Sequence, residues 1–198
     1  MRSSKWFVPG IIIGIIVLLV AVVGGSYNGL VSQREQVRSS LSGIQTQYQR
    51  RSDLIPNLVS TVKGSANFEQ KTLTDVVNAR AKATSIQLDA SKATPAQLQQ
   101  YQQSQGELSQ ALGRLLAVSE NYPDLKSTQG FRDLQVQLEG TENRIAVARR
   151  DYNETARPYN TKIQSFPSSL AAGLFGFDAF PYFQASVGSD KAPAVTFP

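Results

Sequence analysis

Tyr27 to Ile55 reads YNGLVSQREQVRSSLSGIQTQYQRRSDLI, with apolar residues at 27, 30, 37, 41, 44, 48 and 55 and arginines, Arg34 and Arg51, in the two gaps. Steps of three and four residues place these positions on one stripe of a helix, the pattern of a heptad seam. A helix of this length with one apolar stripe must bury it against other helices. The residues before the stretch and those after it decide where the helix starts and what covers its stripe.

What precedes it is Trp6–Gly25, WFVPGIIIGIIVLLVAVVGG, with ten Ile or Val residues and no charge. Twenty residues at about 1.5 Å each span about 30 Å, the thickness of a bilayer's hydrocarbon core. Trp6 and Tyr27 bracket the run with rings suited to the headgroup level. A cleaved signal peptide is the alternative, but its apolar stretch is about 7–15 residues, so a retained anchor is the expectation. Residues 1–5 form a basic flank carrying Arg2 and Lys5, against Arg34 and Arg38 diluted by Glu35 on the other side. The positive-inside rule then puts the N-terminus in the cytoplasm and the following domain outside it.

What covers the seam follows it. Leu54–Ala83 is helical in composition but less regular, with Gly64 as a kink site. Pro56 either starts a new helix, with Asp53 as N-cap, or kinks a continuous one; a bend is the expectation, because the residue before a proline is pushed out of the helical region. Thr94-Pro95-Ala96-Gln97 has the form of a capping box with proline at the first helical position. A second seam follows it: Leu98, Tyr101, Gln105, Leu108, Leu112 and Leu115. A third, Phe131, Leu134, Leu138, Thr141, Ile145, Ala148 and Tyr152, is expected to end near Pro158. Loops are expected at 89–94 and 121–127. The fold class is all-α: one N-terminal transmembrane helix (6–25) continuing into an elongated antiparallel bundle of about four long helices (27–164). An intermolecular coiled coil is the competing use of the same heptads.

The chain has 198 residues, of which 173 follow the first 25, enough for one domain with a core. It has no His and no Cys, which removes thiol nucleophiles, disulfides, imidazole bases and the usual zinc, haem and iron–sulfur ligands. No cofactor or metal is expected. After Lys5, 18 basic residues stand against 15 acidic ones, a balance of +3. The doublets Arg50–Arg51 and Arg149–Arg150 lack the basic and aromatic neighbours of a phosphate-tracking surface, so nucleic acid is not an expected partner. Glu139 and Glu142 share a helix face, as do Asp151 and Glu154, and solvated faces explain both pairs.

Two groups of residues remain as candidates. Arg34, Arg51, Gln105 and Thr141 interrupt the seams. Either the arginines snorkel to water, or one of them is buried against a carboxylate such as Asp53 or Glu142 and sets the register. The second group is the aromatic segment 165–187, with Phe175, Phe177, Phe180, Tyr182 and Phe183. It is either a flap folded over the bundle or an exposed surface that docks a partner or the membrane interface. Ser168–Phe177 has the composition of a short helix, and 188–198 that of a disordered end.

Several blocks of the sequence are familiar in order. They are Tyr27-Asn28-x-Leu30-Val31; Arg50-Arg51-x-Asp53-Leu54-Ile55-Pro56-Asn57-Leu58-Val59, then Val62-Lys63-Gly64; and Leu116-Ala117-Val118-x-Glu120-x-Tyr122-Pro123-Asp124-Leu125-Lys126. Thr141-Glu142-Asn143-Arg144-Ile145, Ala148-Arg149, Tyr152-Asn153, Tyr159-Asn160 and Gly173-Leu174-Phe175-Gly176-Phe177 complete the series. In these blocks the chain resembles the LemA family of bacterial membrane proteins. The resemblance implies an N-terminal membrane helix followed by an elongated, mostly antiparallel helical domain. It carries over no catalytic residue, because the family has no established enzymatic activity. Ser65 departs from the family, whose members often have an aromatic residue there.

The expected function is a non-enzymatic, membrane-anchored helical scaffold. It presents a bundle face or its aromatic segment to a protein partner in the envelope, from the bacterial inner membrane. The alternative is a laterally self-associating, membrane-organising or lipid-remodelling homo-oligomer, since anchoring raises local concentration.

Overall fold

The structure, a computed structural model, describes residues 7–65, 68–90 and 93–184. Among the described residues there are six helices and no strand. The first, α1, runs from Phe7 to Lys63 without interruption, 57 residues. Its first part is apolar and unpacked: Ile13, Leu18 and Val20 are each more than half exposed. This is the one helix long and apolar enough to cross a membrane among the described residues. From Leu30 onward the seam turns inward, and Leu30, Val37, Leu41, Ile44, Tyr48, Arg51 and Ile55 are all buried. Tyr27 stays at the surface.

No new helix starts at Pro56, and Asp53 is not an N-cap: both lie inside α1. A proline in a helix interior withholds the N–H that would satisfy the carbonyl four residues back. Here that carbonyl belongs to Ser52, a residue only 2% exposed. The Arg80 side chain replaces the missing donor, its Nε donating to the Ser52 oxygen at 2.9 Å. The freed carbonyl is thus satisfied from a neighbouring helix, and α1 passes through.

Leu54–Ala83 is consequently not one helix. Its first ten residues finish α1, and α2 begins only at Gln70, running to Ser85. The next helix, α3, spans Pro95–Ser119 and starts on the expected capping box: Thr94 Oγ1 accepts from the Gln97 N–H, and Gln97 Oε1 from the Thr94 N–H. Part of the loop expected at 121–127 is a short helix, α4, Pro123–Ser127. The long α5 covers Gln129–Gln164 and passes through Pro158, where an end was expected. The freed carbonyl there is that of Glu154, on an exposed residue. The last helix, α6, is Ser168–Phe175, closed by Gly176 at φ 66°, a left-handed conformation that suits glycine. In place of about four long helices there are three long ones, the 16-residue α2 and two short ones.

α5 lies antiparallel to α1. Ser40 meets Thr155, Tyr48 meets Arg149 and Arg51 meets Glu142, so numbers rise on one helix as they fall on the other. α2 and α3 form a second antiparallel pair, in which Lys82 meets Glu107 and Ala83 meets Gln105. The apolar core divides in two. One cluster gathers Leu30 to Tyr48 of α1 with Leu98, Tyr101, Ile145, Tyr152 and Tyr159. The other gathers Ile55 to Val62 with α2, Leu108 to Leu115, Phe131 and Leu138. The expectations for residues 1–5, Trp6, the last three residues of the segment 165–187 and 188–198 lie outside the described residues.

Candidate functional site: a polar layer and a strapped tail

Between the two apolar clusters lies a layer of polar residues. Arg51, Ser52, Ser104, Gln105 and Thr141 are all at most 2% exposed. The Arg51 guanidinium organises it. Its Nη1 donates to Ser109 Oγ at 2.5 Å and Glu142 Oε1 at 2.7 Å, and its Nη2 to the Gln105 side-chain oxygen at 2.6 Å and main-chain oxygen at 3.1 Å. Gln105 Nε2 donates in turn to the Ala83 carbonyl at 3.3 Å, one of the last carbonyls of α2, which have no partner within their helix. One buried cation therefore ties α1, α3 and α5 directly and α2 through an amide. The pair partner, Glu142, keeps 42% of its side chain exposed. A buried charge with specific partners favours one helix register over its neighbours, because a shift of one turn would strand it.

Tyr48 sits one turn before Arg51 and receives two bonds at its hydroxyl from Arg149, at 2.6 and 2.9 Å. Burial raises its pKa, with the Arg149 charge acting in the opposite direction. Beside it an open cleft of about 310 Å³ is lined by Gln45, Gln49, Gln87, Tyr101 and Gln105, among others. Its wall offers amides and phenols, suited to neutral polar groups and poorly suited to proton transfer. Among the described residues no three acidic side chains gather as metal ligands would. This arrangement positions helices, tying four of them through one guanidinium.

The second feature runs along α5. Asn153 and Asn160 each grip one residue of the following chain by both main-chain groups. The Phe183 N–H donates to Asn153 Oδ1 at 2.9 Å and Asn153 Nδ2 donates to the Phe183 carbonyl at 2.8 Å. Asn160 does the same to Phe180, at 2.9 and 2.7 Å. Next to them, Tyr152 OH donates to the Pro181 carbonyl and Tyr159 OH to that of Asp178, each at 3.0 Å. Seven residues of helix advance about 10.5 Å, and three residues of extended chain about 10 Å, so two turns of α5 match the step from Phe180 to Phe183. The tail is strapped antiparallel to α5 by two Tyr-Asn pairs.

The candidate residues now have places. Arg51, Gln105 and Glu142 come together in the polar layer. Asp53 does not join them: it faces solvent and accepts from Gln49 Nε2 at 2.7 Å. Arg34 is half-buried, 4.7 Å from the Phe177 ring centre. The five tail aromatics do not form one exposed docking surface. Phe177 and Phe183 are core residues at 6% exposure, Phe180 is half-buried against Tyr159, and only Phe175 and Tyr182 are substantially exposed. The strap explains why: holding the backbone at 180 and 183 delivers the Phe183 ring onto Tyr152, with centroids 5.1 Å apart. Sequence reasoning missed Tyr152, Asn153, Tyr159 and Asn160 as a unit. The signal was a Tyr-Asn dipeptide repeated at a helical spacing of seven ahead of Phe180-x-x-Phe183.

Comparison with known proteins gives the family. A LemA family model matches residues 40–197, a stretch that begins after the apolar run. Magnetosome protein MamQ 2 of Paramagnetospirillum magneticum is 28% identical, over 91% of this chain and 72% of that protein. Magnetosome protein MamQ of Magnetospirillum gryphiswaldense is 26% identical, over 86% and 68%. Protein LemA of Metamycoplasma hominis is 27% identical, over 82% and 70%. The chain belongs to the LemA family.

Proposed function

We propose that this LemA family member is a non-enzymatic, single-pass membrane protein whose helical body is a scaffold for a protein partner in the cell envelope. In this reading residues 6–25 are the anchor in the inner membrane, the body (27–164) stands outside the cytoplasm, and residues 165–184 of the tail segment are part of the body. The observation that carries it is the unbroken α1, unpacked and apolar up to Val22 and seamed into the core from Leu30. Such a helix holds the body at a set distance from the bilayer, which suits a scaffold. With much of the tail committed to the strap, the face left for a partner is at the far end. There Thr61, Gly64, Tyr122, Asp124 and Leu125 line an open concavity of about 580 Å³. Exposed Val136 and Val147, eleven residues apart on one side of α5, favour lateral self-association as the second reading.

A photocrosslinking residue at Asp124 in cells, with a reporter fused to the C-terminus, tests both. A heterologous adduct with a reporter active only outside the cytoplasm supports the scaffold. Adducts only between copies of the chain support the alternative, and a reporter active only in the cytoplasm overturns the orientation.

A further inference from the structure

We propose that α6 is an interfacial helix: its exposed apolar face lies in the lipid headgroup and upper acyl layer, beside the point where α1 leaves the membrane. The inference rests on the anchor reading above and extends it to a lipid contact by a second segment. Three observations place α6 there. First, depth: Val23, within the apolar run, packs against the cluster that contains Ala171, Ala172 and Phe177. Tyr27, one turn on, meets Phe175 and Phe177 edge-on at 4.7 and 5.6 Å. The body thus reaches back along α1 to the last turn of the run that ends at Gly25, and the end of α6 packs one turn beyond, at Tyr27.

Second, chemistry: from Phe166 to Phe177 the chain reads FPSSLAAGLFGF, twelve residues without a charge. Lys162 flanks it before and Asp178 after, and the Lys162 ammonium lies across Gly29, 2.6 Å from where a Cβ would stand. A cation beside an apolar face suits an interface with phosphate headgroups. Third, exposure: Ser168, Ala171 and Ala172 face the body, whereas Leu170, Leu174 and Phe175 are 47, 74 and 53% exposed and Phe166 80%. Leu170 and Leu174 are four apart and share the outer face. A protein surface in water rarely carries so concentrated an apolar patch, and an acyl layer at that depth removes it from water.

The chain's lack of cysteine makes the test direct. Single cysteines at Ile12, Leu174 and Val136, all exposed positions, are spin-labelled in the full chain and reconstituted into phosphatidylcholine–phosphatidylglycerol vesicles. Collision with oxygen reports lipid, and collision with a nickel chelate reports water. Labels at 12 and 174 should both favour oxygen, with a ratio several-fold above that at 136. A lipid-like label at 12 with a water-like label at 174 overturns this inference and leaves the anchor intact. A label at 174 shielded from both reagents also overturns it, since protein then covers the face. A water-like label at 12 refutes the anchor, and this inference with it.

Discussion

The passage of α1 through Pro56 makes a prediction about a residue 24 positions away. Arg80→Met keeps an unbranched stem but removes the donor to the Ser52 carbonyl. That carbonyl belongs to a 2%-exposed residue and has no helical partner, so an unmet buried acceptor should cost about 1–3 kcal/mol. For a chain of this size 1 kcal/mol shifts the melting midpoint by roughly 2–4 °C, so a fall of roughly 4–8 °C corresponds to the middle of that range. The decisive comparison is in a Pro56→Ala background. Alanine restores the N–H that bonds the Ser52 oxygen, so Arg80→Met should there cost less than about 0.5 kcal/mol. Thermal and urea unfolding of the four variants, followed by circular dichroism in one detergent, gives the coupling directly. Equal losses in both backgrounds would refute the reasoning: Arg80 would then act by packing alone, and the continuity of α1 would need another cause.

Glu142→Ala leaves the Arg51 guanidinium buried without a counter-charge. It should lower stability by about 2–3 kcal/mol, below the full range for buried pairs because Glu142 is partly exposed. Adding Arg51→Met should recover about 1 kcal/mol or more, since no buried charge is then stranded; additive losses in unfolding experiments would contradict the polar-layer account. Asn160→Ala removes both main-chain bonds to Phe180, and limited proteolysis should cut between Asp178 and Phe183 at least several-fold faster than in the parent. Burial pushes the Tyr101 and Tyr152 phenols above their ordinary value near 10. Above pH 10 the unfolded chain therefore loses these protons first, so stability is complete below pH 10 and falls as pH rises beyond it. Tyr152→Phe should flatten that alkaline loss, while weakening the protein by about 1 kcal/mol at neutral pH through the missing bond to Pro181.

The parts of this fold that obey a helical period were open to reading from sequence. Leu30, Val37, Leu41, Ile44, Leu98, Leu108 and Ile145 are buried because a spacing of three or four residues admits one inward face. The same spacing singled out Arg51 and Gln105 as polar members of that face, and named Glu142 among the possible partners. Asp53 failed for a helical reason as well: two residues on from Arg51 is about 200° around the axis, on the opposite side. That the helix runs on through Pro56 was not legible locally; the donor that makes up for its missing N–H comes from α2, and nothing near Pro56 in the chain announces it. The strap was illegible for a different reason. Its helix half has a period, but its tail half is recognised by main chain, which every sequence possesses. The burial of Phe177 and Phe183 followed from contacts that no apolar pattern encodes.

The unbroken α1 also has a mechanical consequence under the anchored reading. Transmembrane helices commonly tilt by about 20°, and the 38 residues from Ser26 to Lys63 extend about 57 Å beyond the bilayer core. If the continuous helix moves as one rod, a tilt inside the membrane becomes a sideways sweep of about 20 Å at the far tip. Bilayer thickness, one influence on that tilt, would then help to steer where the distal concavity points. The protein would act as a lever whose short arm is read by lipid and whose long arm is read by whatever binds its end.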